Sequence, residues 1–124
     1  MTAWTNEELT EIGAADELQI ASLRRDGTLR HRTTIWVVRP GDDLYVRSVN
    51  GRTAAWFRGT QVRHEGRIRA GGIEKDVTFV DGDQDIDDQI DAAHRTKHRR
   101  YAASIVDTVV SPEARSATVK LLPR

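Results

Sequence analysis

The sequence contains no cysteine, which excludes a disulfide framework, a thiolate metal centre and a cysteine nucleophile. It has no excess of charge, because nineteen lysines and arginines balance nineteen aspartates and glutamates. No global field therefore draws the chain to nucleic acid or to an anionic membrane, and any anion site has to be local. A run of about eighteen apolar residues, the length a membrane-crossing helix requires, occurs nowhere. The opening MTAWTNEELTEIG has neither the basic nor the apolar region of a secretory leader. The expectation is a soluble, cytoplasmic protein. Linkers, internal repeats and low-complexity segments are also absent, so the 124 residues are read as one domain, 1–124.

What is present is arginine, sixteen against three lysines, a bias that suits planar bidentate donors and equally follows from GC-rich coding. The stretch LYVRSVNGRTAAWFRG, Leu44 to Gly59, sets Arg47, Arg52 and Arg58 around an Asn50-Gly51 corner and adds Trp56 and Phe57. Two readings of it stand open. The cluster could hold an anion, or Arg47 could lie on a solvated strand face, Arg52 in a turn, and Trp56 with Phe57 as a barrel plug.

Periodicity supplies the order of elements. Thr5 with Glu8 forms a capping box before a helix over about residues 6 to 15. Three antiparallel strands follow, carried by Leu18 and Ile20, by Thr34 to Val38, and by Leu44 and Val46, with turns at Asp26-Gly27 and Pro40-Asp43. One or two helical turns span Thr53 to Arg58 and stop at Gly59. RHEGRIRAGGIEKDVTFV gives two strands around Gly71-Gly72. DQDIDDQIDAAHRTKHRRYAASIV reads as one long helix, its acids at the start and its bases toward the end, and SATVKLLPR as the last strand.

Other constellations are weaker. Asp81 to Asp88 has alternate carboxylates, but Ile86 and Ala92 stand where a calcium loop needs glycine and glutamate. His94 and His98 share a helix face, yet their cationic neighbours disfavour a metal, and the expectation is no metal site. His31, ahead of His64, is the better acid or base. No serine has a nucleophile elbow around it. Arg63, Arg67 and Arg69 could track a nucleic acid, but Glu65 interrupts them and no stacking aromatics accompany them, so no nucleic-acid partner is expected.

DGTLRHRTTIWVVRPGDDLYVRSVNGRTAAWFRG, HRTKHRRYA and PEARSATVKLLPR carry a resemblance to a family of short bacterial proteins of unknown function. The order of elements resembles the split β-barrel of the flavin-binding pyridoxamine-phosphate-oxidase-like superfamily and its deazaflavin-dependent nitroreductase branch. That resemblance implies a mainly β, α+β fold: a six-stranded antiparallel split barrel with an N-terminal helix, a short helix after strand three and a long helix before the last strand. It implies Arg47, Ser48, Arg52 and Thr53 as a phosphate set, Thr33, Thr34 and Trp36 on the strand facing a flavin or deazaflavin ring, and Trp56 and Arg58 beside it. It also implies a homodimer, with Trp4, Trp36 and the arginine-rich strand at the contact. Two functions follow as alternatives: an oxidoreductase using FMN or a deazaflavin to transfer hydride to a small substrate, and a cofactor-free barrel that binds a small anionic molecule.

Overall fold

The computed structural model describes residues 3–124. The capping box closes as expected: Thr5 Oγ1 accepts from the Glu8 backbone N–H at 3.1 Å, and the Glu8 carboxylate accepts from Thr5 N–H at 2.9 Å. Helix α1, Asn6–Ala14, turns Leu9 and Ile12 into the core. Strands β1 (Leu18–Ser22), β2 (Thr33–Ile35), β3 (Val37–Val38) and β4 (Leu44–Arg47) follow. A 3-10 turn at Gly51–Thr53 leads to α2, Ala55–Arg63, then to β5 (Glu65–Ala70) and β6 (Ile73–Asp81). A 3-10 turn at Gln84–Ile86 opens α3, Asp87–Lys97, and α4 (Ala103–Val109), α5 (Pro112–Arg115) and β7 (Thr118–Pro123) complete the order.

All strands pair antiparallel in the order β2-β1-β5-β6-β7-β4-β3. The two outer strands are consecutive pieces of one segment, 33–38, interrupted only at Trp36. That segment therefore bridges both edges and nearly closes the sheet into an α+β barrel, which leaves little edge to protect. Seven strands replace the expected six because Trp36 divides the second: its halves must pair with different neighbours. The barrel interior is filled by Leu18, Ile20, Leu44, Val46, Ile68, Val77, Phe79, Val119 and Leu121. Gly71 and Gly72 make the two-residue hairpin between β5 and β6, both at positive φ (57° and 81°) as a type I′ turn requires.

Three expectations need correction. The short helix does not stop at Gly59; it runs to Arg63 and ends at His64 in the left-handed region, φ 58°. Gly59 is interior to α2 because Ser22 and Arg30 lie so close that a Cβ would collide with Ser22 Oγ. The long helix is broken between Lys97 and Ala103. Its residues His94, His98 and Tyr101 all turn toward Trp36, so the apolar period runs through the break and conceals it. Trp4, expected at a contact between copies, is a core residue whose Nε1–H donates to the Leu121 carbonyl at 2.9 Å.

Candidate functional site

β4 is buried along its whole length, since its outward face lies under α3: Tyr45 packs with Ile90, and Arg47 meets the acidic start of that helix. An arginine has five N–H donors, and all five of Arg47 are engaged. Nε donates to Thr118 Oγ1 (3.0 Å), one terminal nitrogen to Asp91 Oδ1 and the Val109 carbonyl (3.2 Å), and the other to the carbonyl (3.2 Å) and carboxylate (3.0 Å) of Asp87. Arg47 is 2 % exposed. It was expected to hold a phosphate or to face solvent; the folded chain leaves it no free donor for the first and no water for the second.

Asp91 bridges Arg47 and Arg115 with its two oxygens. Burial pushes its carboxyl up, but the hydrogen bonds from Arg115 and Arg47 outweigh that and hold it below the ordinary value. The same bond holds the Arg115 guanidinium above its usual range.

Beside this anchor lies a cavity of about 210 Å³. Trp36 and Trp56 both contribute to its wall, Ile35, Val49, Ile105 and Val109 make it largely apolar, and Thr34, Ser48, Asn50 and Thr108 add polar atoms. Ser48 is 1 % exposed and its Oγ has no hydrogen-bond partner among the described residues. Such a hydroxyl costs stability until something accepts or donates to it.

Trp36 is held from behind. His98 stacks on it face to face, centroids 3.8 Å apart and planes 8° apart, and Tyr101 tilts against it at 5.0 Å. His94 stands 3.4 Å from His98 between the two Nδ1 atoms, and each ring keeps a buried Nε2 that has no partner among the described residues. Burial, reinforced by the charges of His98 and Arg47, pushes His94 down to about 3, and burial likewise lowers His98. Burial lowers Lys97 to about 8 while its Nζ donates to the Val37 carbonyl at 2.6 Å. The two histidines are thus neutral packing partners of Trp36 near neutral pH.

Of the sequence-predicted site residues, the cavity gathers Thr34, Trp36, Ser48 and Trp56, with Arg47 at its margin. Thr33 points the other way, into a second cavity of about 230 Å³ that shares Trp56 as a wall and includes His31. Arg52, Thr53 and Arg58 line neither cavity. Arg52 donates to the Ser116 carbonyl at 2.9 Å and lies 5.0 Å over the Phe57 ring; Thr53 Oγ1 donates to the Asn50 carbonyl; Arg58 is exposed on α2. Phe57 is a core plug as expected, whereas Trp56 is half-buried at the cavities. On the arginine-rich strand, Arg67 pairs with Asp76, while Arg63 at the end of α2 pairs with Glu65.

Sequence reasoning missed Ile105, Thr108 and Val109 of α4, although their i, i+3, i+4 spacing marks one helix face. It also missed Arg24 and Arg30, which appear as ordinary hairpin arginines. Among the described residues, no group of three or more metal-ligating side chains converges, and no helix is long and apolar enough to cross a membrane.

The barrel is similar to that of an F420 reductase of known structure, with a TM-score of 0.58 at 12 % identity over 94 % of this chain and 90 % of that one. No curated protein matches the sequence. Residues 8–121 match the model of a family described as "Uncharacterized protein conserved in bacteria (DUF2255)", and the chain belongs to that family.

Proposed function

We propose that the cleft lined by Trp36 and Trp56 binds a small planar molecule, with the ring of a flavin or deazaflavin as the first candidate. The observation that carries this reading is Ser48 Oγ, buried and without a partner among the described residues, on a cavity walled mainly by two indoles and aliphatic side chains. A flat ring would lie against the indoles, and Ser48, Thr34 and Thr108 would fix its orientation. The likeness of the barrel to that of an F420 reductase supports the choice of ring. When bound, such a ring supplies hydride transfer to a small substrate, and the protein contributes orientation and exclusion of water.

The residues fit the ring and do not fit a phosphate at Arg47, whose donors are all engaged. The second reading, a cofactor-free binder of a smaller molecule, is favoured by size: about 210 Å³ is below the roughly 300–1,000 Å³ of typical cofactor and drug-sized sites. Homodimerisation belongs to the same proposal, because Val49 and Ile105 expose apolar surface, 45 % and 47 %, at the cleft. A second copy there would deepen it, and light scattering that shows only monomer would remove that element.

Fluorescence titration with riboflavin, which has the ring without a phosphate, tests the main reading. Saturable quenching is expected, weakened about three- to tenfold by Ser48→Ala, the loss of one hydrogen bond. If neither riboflavin nor a deazaflavin quenches, the cofactor reading fails and small neutral aromatics are the next ligands to screen.

A further inference from the structure

The second cavity has a different chemistry. We infer that it is a binding site for a phosphate group. It lies between the first hairpin and the start of α2, lined by Ser22, Arg24, Arg30, His31 and Thr33 together with Ala55 and Trp56. Ile20 completes the lining; each polar side chain there can donate a hydrogen bond, and among the described residues no carboxylate lines it.

Arg30 is the centre of the argument. Its Nε is buried without a partner, and its guanidinium makes no ion pair or side-chain hydrogen bond among the described residues. Its backbone N–H donates to the Ser22 carbonyl at 2.9 Å, which fixes the position from which the side chain sets out. Gly59 lets that side chain lie against α2: a Cβ there would stand 3.0 Å from Arg30 Cδ and 3.2 Å from Nε. Arg30 as a whole is half-buried, but a buried Nε–H without an acceptor is unfavourable, and an anion at this guanidinium relieves it.

Two further features aim donors at the same place. Arg24 is staked by Thr28 Oγ1 (3.3 Å) and the Leu29 carbonyl (2.8 Å), both taken by one terminal nitrogen, so its other nitrogens remain available. Asp26, the acid facing Arg24, is occupied by the N–H and hydroxyl of Thr28. Helix α2 begins at Ala55 with no side-chain cap on its free N–H groups. Donors arriving from two arginines, an imidazole, two hydroxyls and a helix start exceed what a planar carboxylate can accept; they suit the tetrahedral oxygens of a phosphate.

This site uses residues outside the ring cleft, sharing only the Trp56 wall, so its success or failure is separable from the reading above. Calorimetry with inorganic phosphate and with phenyl phosphate, and with benzoate as the carboxylate probe, tests it. Saturable binding of at least one phosphate is expected, weaker binding of benzoate, a tenfold or greater loss in Arg30→Gln, and no change in Arg95→Gln, which removes an exposed arginine of α3 outside both cavities. Binding by inorganic phosphate identifies the anion alone as sufficient; binding only by phenyl phosphate identifies an ester. The melting temperature should rise with phosphate in the wild type and not in Arg30→Gln, provided that the variant melts cooperatively. Gly59→Ala, which displaces Arg30, provides a second variant. No saturable binding by the folded wild type, or binding that Arg30→Gln and Gly59→Ala leave intact, overturns the assignment.

Discussion

Replacing Arg47 distinguishes an internal anchor from a ligand-holding residue. Removing one member of a buried, hydrogen-bonded ion pair costs about 3–5 kcal/mol, because the partner charge stays buried without compensation. Arg47→Met strands Asp87 and half of Asp91, whose other oxygen remains with Arg115, and also orphans Thr118 Oγ1 and the Val109 carbonyl as acceptors. At roughly 3–4 °C per kcal/mol for a domain of this size, the melting temperature should fall by about 10–20 °C. Arg47→Lys keeps the charge but has three donors in place of five, so it should fall less. Urea denaturation at several pH values adds a signature. The Asp91 carboxyl sits below its ordinary 3.8 in the fold, so its stabilisation is complete above that value and is lost as pH falls through the lower folded one. The Arg47→Met penalty should therefore be full near neutrality and shrink only in strong acid. A variant that melts like the wild type yet loses phosphate-dependent binding of FMN tenfold would refute the anchor and restore Arg47 as a ligand.

The buried histidines predict a different acid limb. An unfolded histidine protonates below 6.5 while His94 stays neutral to about 3, so stability should be full above pH 6.5 and fall toward acid by at most about 1.4 kcal/mol per pH unit. In urea titrations His94→Gln should flatten that fall between 6.5 and about pH 5, and an unchanged slope would show that the folded imidazole accepts the proton. Two glycines separate overlap from backbone strain. A Cβ on Gly66 would collide with the Ala21 carbonyl and stand 2.8 Å from the Phe79 ring, so Gly66→Ala should cost about 3 kcal/mol or more. Gly72, at φ +81° with nothing near, should cost about 1–2 kcal/mol as alanine, and equal thermal shifts would contradict the distinction. Ser48→Ala should leave the ligand-free protein as stable or raise its melting temperature slightly, since it removes an unsatisfied buried hydroxyl; a clear loss would mean that Ser48 already has a partner.

Local chemistry was legible in the sequence, and the partners of side chains across the barrel were not. The Thr5–Glu8 capping box and the Gly71-Gly72 turn depend on residues at most three apart, so spacing reveals them. Arg47 finds its acceptors forty and forty-four positions later, on a helix whose acids already have a local explanation in the dipole. With Leu44 and Val46 in the core, alternation puts Arg47 on the outer face of β4, but whether that face meets water, a ligand or α3 is decided by packing. The breaks at Trp36 and after Lys97 were hidden for the same reason: their side chains keep the apolar period on both sides.

The availability of an arginine for a ligand depends on the acceptors that the fold brings to it, and arginine-rich stretches carry no record of that. Around the Asn50-Gly51 corner, Arg47 binds two carboxylates of α3 and ties that helix to the barrel. Arg52 donates to the Ser116 carbonyl and covers the Phe57 ring, so its position is explained by packing, and Arg58 is on the outer surface of α2. Arg30, in a hairpin with no aromatic run to draw attention to it, combines a buried Nε with the absence of a carboxylate partner. The two cavities thus divide what the sequence appeared to concentrate in one stretch. The Trp36 side offers apolar walls and one free hydroxyl, while the Arg30 side offers charge, and the indole of Trp56 stands between them. A molecule joining a flat ring to a phosphate would have to lie along that indole to use both, and so would contact it on both sides. Trp56→Ala should then weaken such a molecule more than it weakens riboflavin or phenyl phosphate, and equal losses for all three would mean that each cavity binds alone.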